Sequence, residues 1–586
     1  MSRSSSAITS PPSQVGLGAP ASASRDRRWL VGLILLACTA AMVGLAVVLD
    51  VDLIDDSYIF LRYAYNLAEG RGAVFNVGER SEGFSSPLWT LLLGVVGATG
   101  LDLEQVAYSL GLVCGAGMIA LLLLAVHRET DRGDIRALAV LGLGLASSPA
   151  MVFWSASGMD AALFILLVTA SLLSILNDRR SGEASASCSV AIHPRRHREV
   201  DVGHVPVSTS GHPRGLNPAA RRIRTKSVLR GLSVRSAVLL TLATFARPEG
   251  VLLAGYAGAF FLYERRSIRV LWGFALAVTA MFVARYAYYG AWLPNTYYAK
   301  VTFILWRRWM DGVAYVLPAL MDHALLVVVT ITVLVVAWRR QTQDKRPMLF
   351  LGGWVVLWSG YVLHVGGDNF ALFRFLLPVV PALFLLLGWN WSSICSGLTP
   401  RVRTACLCGL ALALGVSNVV TYANESESYY GDVRLARSWK KVGRWLDRTT
   451  PSDTVIAAVT PGALGYFGRR STVDMLGLTD RTVSLEGRVY AKAAHGHARY
   501  HTDYIFQRDP DIILYHSSGR FTEPVYATPY AISLRHGYAL YDFVSDPRCT
   551  DRYAYETARL EDGTIVEMQR KRSSSATNDK TAALTP

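Results

Sequence analysis

Leu30 to Leu49 is a run of twenty residues without a charge, long enough to cross a bilayer as a helix. It ends at Asp50, Asp52, Asp55 and Asp56, so four carboxylates are delivered to a membrane surface. The stretch 56–70 that follows is amphipathic instead of a second span. Its apolar residues Ile59, Phe60, Tyr63 and Leu67 fall at helical spacing, with Arg62, Asn66 and Glu69 on other faces. This predicts a helix lying at the interface. Gly70, Gly72 and Gly78 break the pattern, and Ser85-Ser86-Pro87 opens a further apolar piece, 88–99, too short for a complete crossing.

Further apolar segments at about 105–126, 137–153, 159–177, 233–246, 249–263, 269–289, 324–338, 348–364, 371–388 and 402–421 bring the expected crossings to eleven. With 51% hydrophobic residues and 14 Trp, the chain reads as a polytopic membrane protein. In a soluble chain a net charge of +15 would suggest a nucleic-acid partner. Here the basic residues collect in loops between spans, so the charge reports topology and nucleic acid is excluded as a partner. Arg25, Arg27 and Arg28 precede the first span and predict a cytoplasmic N-terminus, with Asp55 and Asp56 outside. The loop 178–232 carries eleven Lys or Arg against three acids between Arg179 and Arg230 and is expected inside, as a poorly ordered insert. Seven scattered cysteines give neither a disulfide framework nor a thiolate metal site.

Residues 1–29 read as a disordered leader, 30–424 as the transmembrane domain with a first outer loop at 50–104, 425–569 as a small extracytoplasmic α/β domain, and 570–586 as a disordered tail. Strands are expected at 454–459, 472–475 and 511–515, with a short helical turn at 464–467 and a helix at 433–449. His495, His497 and His501 are close in sequence but lie in no metal motif and read as exposed side chains.

In this topology several residues that are costly in a membrane reach the same outer side. Asp160 opens the fourth span. Arg247 and Glu249 flank Pro248 between the fifth and sixth. Asn295 and Lys300 leave the seventh, His364 and Asp368 close the ninth, and Arg374 enters the tenth. Together they predict a cavity open to the outside. Carboxylates there can deprotonate a sugar hydroxyl or hold a divalent cation, and basic groups can stabilise a departing phosphate. Arg247 and Arg374, with Lys300 behind them, are the candidate phosphate ligands. Nucleotide sugars are not supplied outside the cell, so the suitable donor is a lipid phosphate held between helices. The competing class is a transporter or flippase, which is expected to show repeated halves and polar sites at mid-membrane. The chain shows no internal repeat, and its polar residues sit at helix ends. A non-catalytic scaffold is the third reading.

Residues 54–94, IDDSYIFLRYAYNLAEGRGAVFNVGERSEGFSSPLWTLLLG, resemble the first outer loop of the GT-C glycosyltransferases, and among them the mycobacterial terminal β-arabinofuranosyltransferases. FARPEG, YYGAWLPNTYYAK, HVGGDNFALFRFLLPVVP, GLGLASSPAMVFWSASGMDAALF and the tail segment GALGYFGRRSTVDMLGLTD are similar as well. The resemblance implies a GT-C-type, all-α polytopic domain with a soluble tail domain that helps to hold the acceptor. It implies a polyprenyl-phosphate sugar donor, arabinofuranose among the candidates, and a cell-envelope glycan acceptor. It places the catalytic or metal-side carboxylate at Asp55 or Asp56 and a second acidic position at Asp160. A Mg or Mn ion, where one is used, would lie between Asp56 and Asp160. The long insert at 178–232 departs from the family.

Overall fold

The computed structural model describes residues 21–129, 134–191, 231–300, 305–340, 344–395, 397–494, 496–516, 518–525, 532 and 534–572. Most of the basic insert, the start of the leader and the end of the tail fall outside these ranges. The membrane part comprises α1 (Ala21–Val48), α2 (Asp55–Ala68), α3 (Pro87–Gly97), α4 (Leu103–Glu129), α5 (Ile135–Ala146), α6 (Pro149–Ala156), α7 (Ala161–Ala191), α8 (Val234–Ala246) and α9 (Gly250–Tyr263). It continues with α10 (Leu271–Tyr289), α11 (Asn295–Lys300), α12 (Leu305–Asp322), α13 (Ala324–Arg340), α14 (Arg346–Val365), a 3-10 turn (Arg374–Val379), α15 (Val380–Cys395) and α16 (Pro400–Thr449).

Among the described residues, seven helical segments are long and apolar enough to cross a membrane, or nine if two bent pairs are each one span. The expected eleven are not reached by this measure, which sets apart the shorter apolar helices α3, α8 and α9. α5 and α6 are bent by 54° at Ser147-Ser148, and α12 and α13 by 79°. α8 and α9 have 13 and 14 residues, about 20 Å each at 1.5 Å per residue, which is short of a bilayer. They are interrupted because Pro248 disfavours helical geometry at Arg247, whose φ is −153° and ψ 135°.

Expected to lie at the interface, α2 is instead enclosed. Arg62 and Asn66 are both buried. Arg62 Nε donates to the Phe75 carbonyl at 3.1 Å, and Asn66 Nδ2 donates to the Val74 carbonyl at 2.8 Å. The glycine-rich loop after α2 folds back over it, and its unpaired carbonyls take these two donors. Ser86 caps α3 by accepting from the Trp89 N–H, as the Ser-Pro opening predicts.

α16 is one unbroken helix of 50 residues. Its apolar part, 402–421, accounts for a crossing, and the remainder projects beyond it and bears the tail domain. The expected domain start at 425 thus falls inside a continuous helix, and 433–449 is its last third and not a separate element. The tail domain contains β1 (Val455–Ala458), α17 (Gly462–Gly468), β2 (Ser471–Asp474), α18 (Arg481–Glu486), β3 (Arg488–Val489), β4 (Arg499–Tyr500), α19 (Thr502–Arg508) and β5 (Ile512–Leu514). It ends with α20 (Leu534–Ser545), α21 (Pro547–Arg552), β6 (Tyr553–Arg559) and β7 (Ile565–Lys571). The main sheet has the order β2-β1-β5-β7-β6, parallel over β2-β1-β5 and antiparallel where the β6–β7 hairpin joins β5. That hairpin was not among the expected strands.

The tail domain is locked onto the loop between α2 and α3. Asn76 exchanges two hydrogen bonds with the backbone of Thr472, at 2.9 and 3.0 Å, and the Ser81 hydroxyl donates to the Thr479 carbonyl. Glu82 in that loop pairs with Arg285 of α10 at 2.7 Å, with both side chains almost fully buried.

Candidate functional site

The four aspartates after α1 have three different tasks. Asp50 and Asp52 form ion pairs with Arg437 of α16 at 2.8 and 3.0 Å. Tyr429 of the same helix donates to the Asp52 carbonyl at 2.8 Å. Asp55 is buried and accepts from the backbone N–H groups of Gly462 and Ala463, at 3.1 and 2.8 Å, at the start of α17. The approach is so close that a Cβ at Gly462 would sit 2.0 Å from the Asp55 carbonyl oxygen, so only glycine fits there. Burial pushes the Asp55 carboxyl up to about 7, against the opposing pull of the two N–H groups. Asp56 faces the other way. Its carboxylate lies 3.5 Å from Lys300 Nζ of α11 and keeps a quarter of its surface open.

Lys300 also lies over the Phe370 ring, 5.9 Å from its centre, and the Arg374 guanidinium covers the same ring at 4.4 Å. Arg374 is held by Asp368, with Nε and Nη2 at 2.9 and 2.8 Å from one carboxylate oxygen. Its Nη1 is buried without a hydrogen-bond partner. The turn that presents it is strained: Leu372 and Phe373 both take left-handed φ values, 62° and 49°. Two hydrogen bonds and a pair of glycines hold that turn. The Leu372 N–H donates to Glu425 at 3.0 Å, the Phe375 N–H donates to the Tyr315 hydroxyl at 3.1 Å, and Gly366 and Gly367 precede it at φ 93° and 71°.

Beyond Arg374 a cleft opens, lined by Arg247, Glu249, Tyr361 and Arg374 on its polar side and by Phe164, Trp358 and Phe375 on its aromatic side. Arg247 lies 3.2 Å from Glu249 and 3.5 Å from the fully buried Asp160, neither of whose oxygens has a hydrogen bond. Asp160 reaches this place because its loop packs on the first loop: Trp89 Nε1 donates to the Gly158 carbonyl at 3.1 Å.

Of the ten candidates from the sequence, eight therefore converge: Asp56 with Lys300, Asp368 with Arg374, Asp160 with Arg247 and Glu249, and Asp55 on the flank. Two do not. Asn295 is spent on structure, its N–H bonded to the Glu82 carbonyl and its Nδ2 to the Ser81 hydroxyl at 2.9 and 3.0 Å. His364 is exposed, and its Nδ1 accepts from Trp309 Nε1 at 3.3 Å, on the outer side of α12. His495 is outside the described residues, and His501 caps α19 by accepting from the Tyr504 N–H.

The metal expectation does not fit. Asp56 and Asp160 are each taken by a cation of the chain, and the described residues contain no group of three or more His, Cys, Asp or Glu able to hold a metal ion. No step below is routed through one.

A carboxylate that the sequence reading passed over completes the site. Asp432 lies eleven residues beyond the apolar part of α16, outside the crossing, and forms no ion pair among the described residues. Burial pushes its carboxyl up to about 7, reinforced by the charges of Asp56 and Asp368 and opposed by Arg374. The available signal was helical: Tyr429, Val433, Ala436 and Trp439, all buried, continue the period of the span past the expected boundary.

Residues 425–560 match a family model described as "Domain of unknown function (DUF8728)". The chain is 28% identical over 361 residues to the "Terminal beta-(1->2)-arabinofuranosyltransferase" of Mycobacterium tuberculosis, covering 54% of this chain and 48% of that protein. The protein of the same name from Corynebacterium glutamicum is 28% identical over 254 residues, covering 42% and 32%. The chain thus spans about half the length of these relatives or less. Among solved structures, the archaeal oligosaccharyltransferase AglB from Archaeoglobus fulgidus, in complex with an inhibitory peptide and a dolichol-phosphate, superposes with a TM-score of 0.52 at 12% identity. That superposition covers 92% of this chain and 74% of the other. At this identity the likeness is one of fold: the chain is a polytopic all-α membrane protein with a C-terminal α/β domain, arranged as in that oligosaccharyltransferase.

Proposed function

We propose that the protein is a glycosyltransferase that moves a sugar from a polyprenyl phosphate to a glycan hydroxyl, at the outer face of the plasma membrane. One observation carries the reading. Arg374, although paired with Asp368 through Nε and Nη2, holds a buried Nη1 without an acceptor at the mouth of an aromatic cleft, a donor suited to a phosphate oxygen. The donor phosphate supplies that oxygen, and Arg247 at the far side of the cleft supports it. The acceptor hydroxyl lies at the Asp56 end. Its oxygen attacks the anomeric carbon, the bond from that carbon to the phosphate oxygen breaks, and its electrons stay on the phosphate facing Arg374. The hydroxyl proton passes to Asp56, which Lys300 orients. Attack in line with the leaving phosphate inverts the anomeric centre.

Arabinofuranose is the sugar we assign, on the names of the two relatives, with the N-terminus in the cytoplasm and the tail domain outside. The test is reconstitution in proteoliposomes with polyprenyl-phosphoryl-arabinofuranose and an oligoarabinan. The expected product is an oligoarabinan longer by one arabinose. Transfer from a different lipid-linked sugar alone would keep the reaction class and remove arabinose. Movement of the donor across the bilayer without transfer would make the chain a flippase.

A further inference from the structure

The tail domain carries an aromatic patch that the site described above does not use. Tyr490 follows β3, Tyr500 lies in β4, and Tyr538 is on α20. The rings of Tyr490 and Tyr538 stack with centres 3.8 Å apart and planes 5° apart, and Tyr500 meets Tyr538 edge-on at 4.9 Å. Tyr490 and Tyr538 are half-buried and join neither hydrophobic core of the protein. The patch is not sealed by its surroundings. Both residues of β3 are exposed, Val489 by 49%, and Leu534, on the other side of the kink at Gly537 from Tyr538, by 42%. A cluster that served only to glue α20 to the hairpin would gain most by burying its rings. This one leaves them partly in solvent, beside the Asp542 carboxylate, which accepts from the Thr502 hydroxyl.

The patch is tied to the candidate site by the loop that joins β3 to β4. The Ala493 carbonyl in that loop accepts from Arg307 of α12 at 2.9 Å. At Gly496, whose φ is +77°, the backbone runs so close to the site that a Cβ would lie 3.5 Å from Lys300 Cγ and 3.6 Å from Asn369 Nδ2. From Tyr490 to Gly496 the chain can span at most about 20 Å. The aromatic faces therefore stand within a short oligosaccharide's reach of the lysine that orients Asp56.

We propose that Tyr490, Tyr500 and Tyr538 form a remote acceptor subsite that binds an oligosaccharide several residues away from the reacting hydroxyl. The inference rests on the glycosyltransferase reading and extends it to the acceptor. The C–H face of a sugar ring is weakly positive and lies favourably on the negative face of an aromatic ring. The tyrosine hydroxyls and Asp542 match sugar hydroxyls, whereas a carboxylate at the patch opposes an anionic lipid headgroup. Binding so far from the reacting carbon acts on affinity for long acceptors, and short acceptors never reach it.

The test uses the full chain in nanodiscs, with two readouts. The first is equilibrium binding of a long oligoarabinan without donor. The second is KM for that acceptor relative to KM for an arabinose disaccharide. Tyr538→Ala should weaken binding of the long acceptor and raise the KM ratio by about tenfold, with Tyr538→Phe intermediate. Val489→Arg, at an exposed edge of the patch where no core is disturbed, should raise the ratio as well. An equal change for both acceptors would show that the patch only supports the fold, and no change for either would show that it holds no sugar. A loss of brominated-lipid quenching of tyrosine fluorescence on Tyr538→Ala would make it a membrane contact. Each of these overturns the subsite. Oligosaccharide binding that Tyr538→Ala abolishes, in a parent that transfers nothing, would leave the subsite standing and remove the transferase reading.

Discussion

The carboxylate of Asp55 accepts a hydrogen bond from the backbone N–H of Ala463 at 2.8 Å, across more than four hundred residues of sequence. Its neighbour Asp56 points elsewhere, because successive residues on a helix are turned by about 100°. The first therefore joins membrane domain to tail domain, and the second is the base of the proposed transfer. Asp56→Asn should lower transfer by about 10²–10⁴-fold with unchanged thermal stability. Asp55→Ala should instead cost about 1–3 kcal/mol of stability and speed proteolysis between the two domains. A stable, inactive Asp55→Asn beside an active Asp56→Asn would reverse the two roles.

Arg374 meets Asp368 through two nitrogens, and the strained turn before it sets its direction. Lysine carries the same charge but cannot bond Asp368 and a phosphate in the same planar fork. Arg374→Lys should weaken binding of the polyprenyl-phosphate donor by about tenfold and leave the melting temperature near that of the parent. Asp368→Asn should act in the same direction by freeing the guanidinium. Donor affinity measured by titration in nanodiscs decides the matter, and parent-like values for both variants would take Arg374 out of the phosphate site.

Much of this arrangement was legible in the sequence because spans, breaks and charges are local signals. The charge-free run before Asp50, the Arg247-Pro248-Glu249 interruption and the strands of the parallel sheet follow from composition and period alone. What escaped were relations that only packing creates. Nothing near Asn295 indicates that its amide is taken by Ser81, and nothing near Arg62 shows that a loop will cover it. Asp432 was hidden by a boundary drawn where hydropathy ends, although the helix itself runs on to Thr449. The bend between α12 and α13, five residues after Pro318, turned an expected single crossing into half of a broken one.

Glu82 and Arg285 form an ion pair at 2.7 Å with side chains 4% and 3% exposed. Removing one member of a pair so deeply buried leaves an uncompensated charge, at a cost of about 3–5 kcal/mol. Glu82→Gln should therefore lower the unfolding midpoint in detergent strongly. The double variant Glu82→Gln with Arg285→Met should recover most of the loss, since neither charge then remains. A double variant no better than the single one would show that the pair is not the source of the effect.

The cations beside Asp56 and Asp160 are Lys300 and Arg247. With both carboxylates occupied in this way, transfer should proceed at the parent rate after chelation and extensive dialysis. Loss of activity on chelation, with recovery on adding Mg or Mn, would show that the two lysine and arginine pairs open to admit an ion.

The pH dependence follows from Asp432, which faces Asp55, Asp56 and Asp368 as acids and Arg374 as base. Its carboxyl is raised from 3.8 to about 7 in the folded protein. A folded state that holds its proton more tightly than the unfolded chain is favoured by acid. The stability contribution is therefore complete below pH 3.8 and disappears as the pH rises through about 7. Asp55, also raised to about 7 by burial, adds a contribution of the same sign over the same window. Catalysis should run the opposite way. Ionised Asp432 adds a negative charge beside Asp56 and favours uptake of the acceptor proton there, so the rate should climb through an apparent pKa near 7. Asp432→Asn should flatten that climb and shrink the stability change, leaving the part owed to Asp55. A variant that keeps the full rise in rate between pH 5 and 8 would assign the titration to another group.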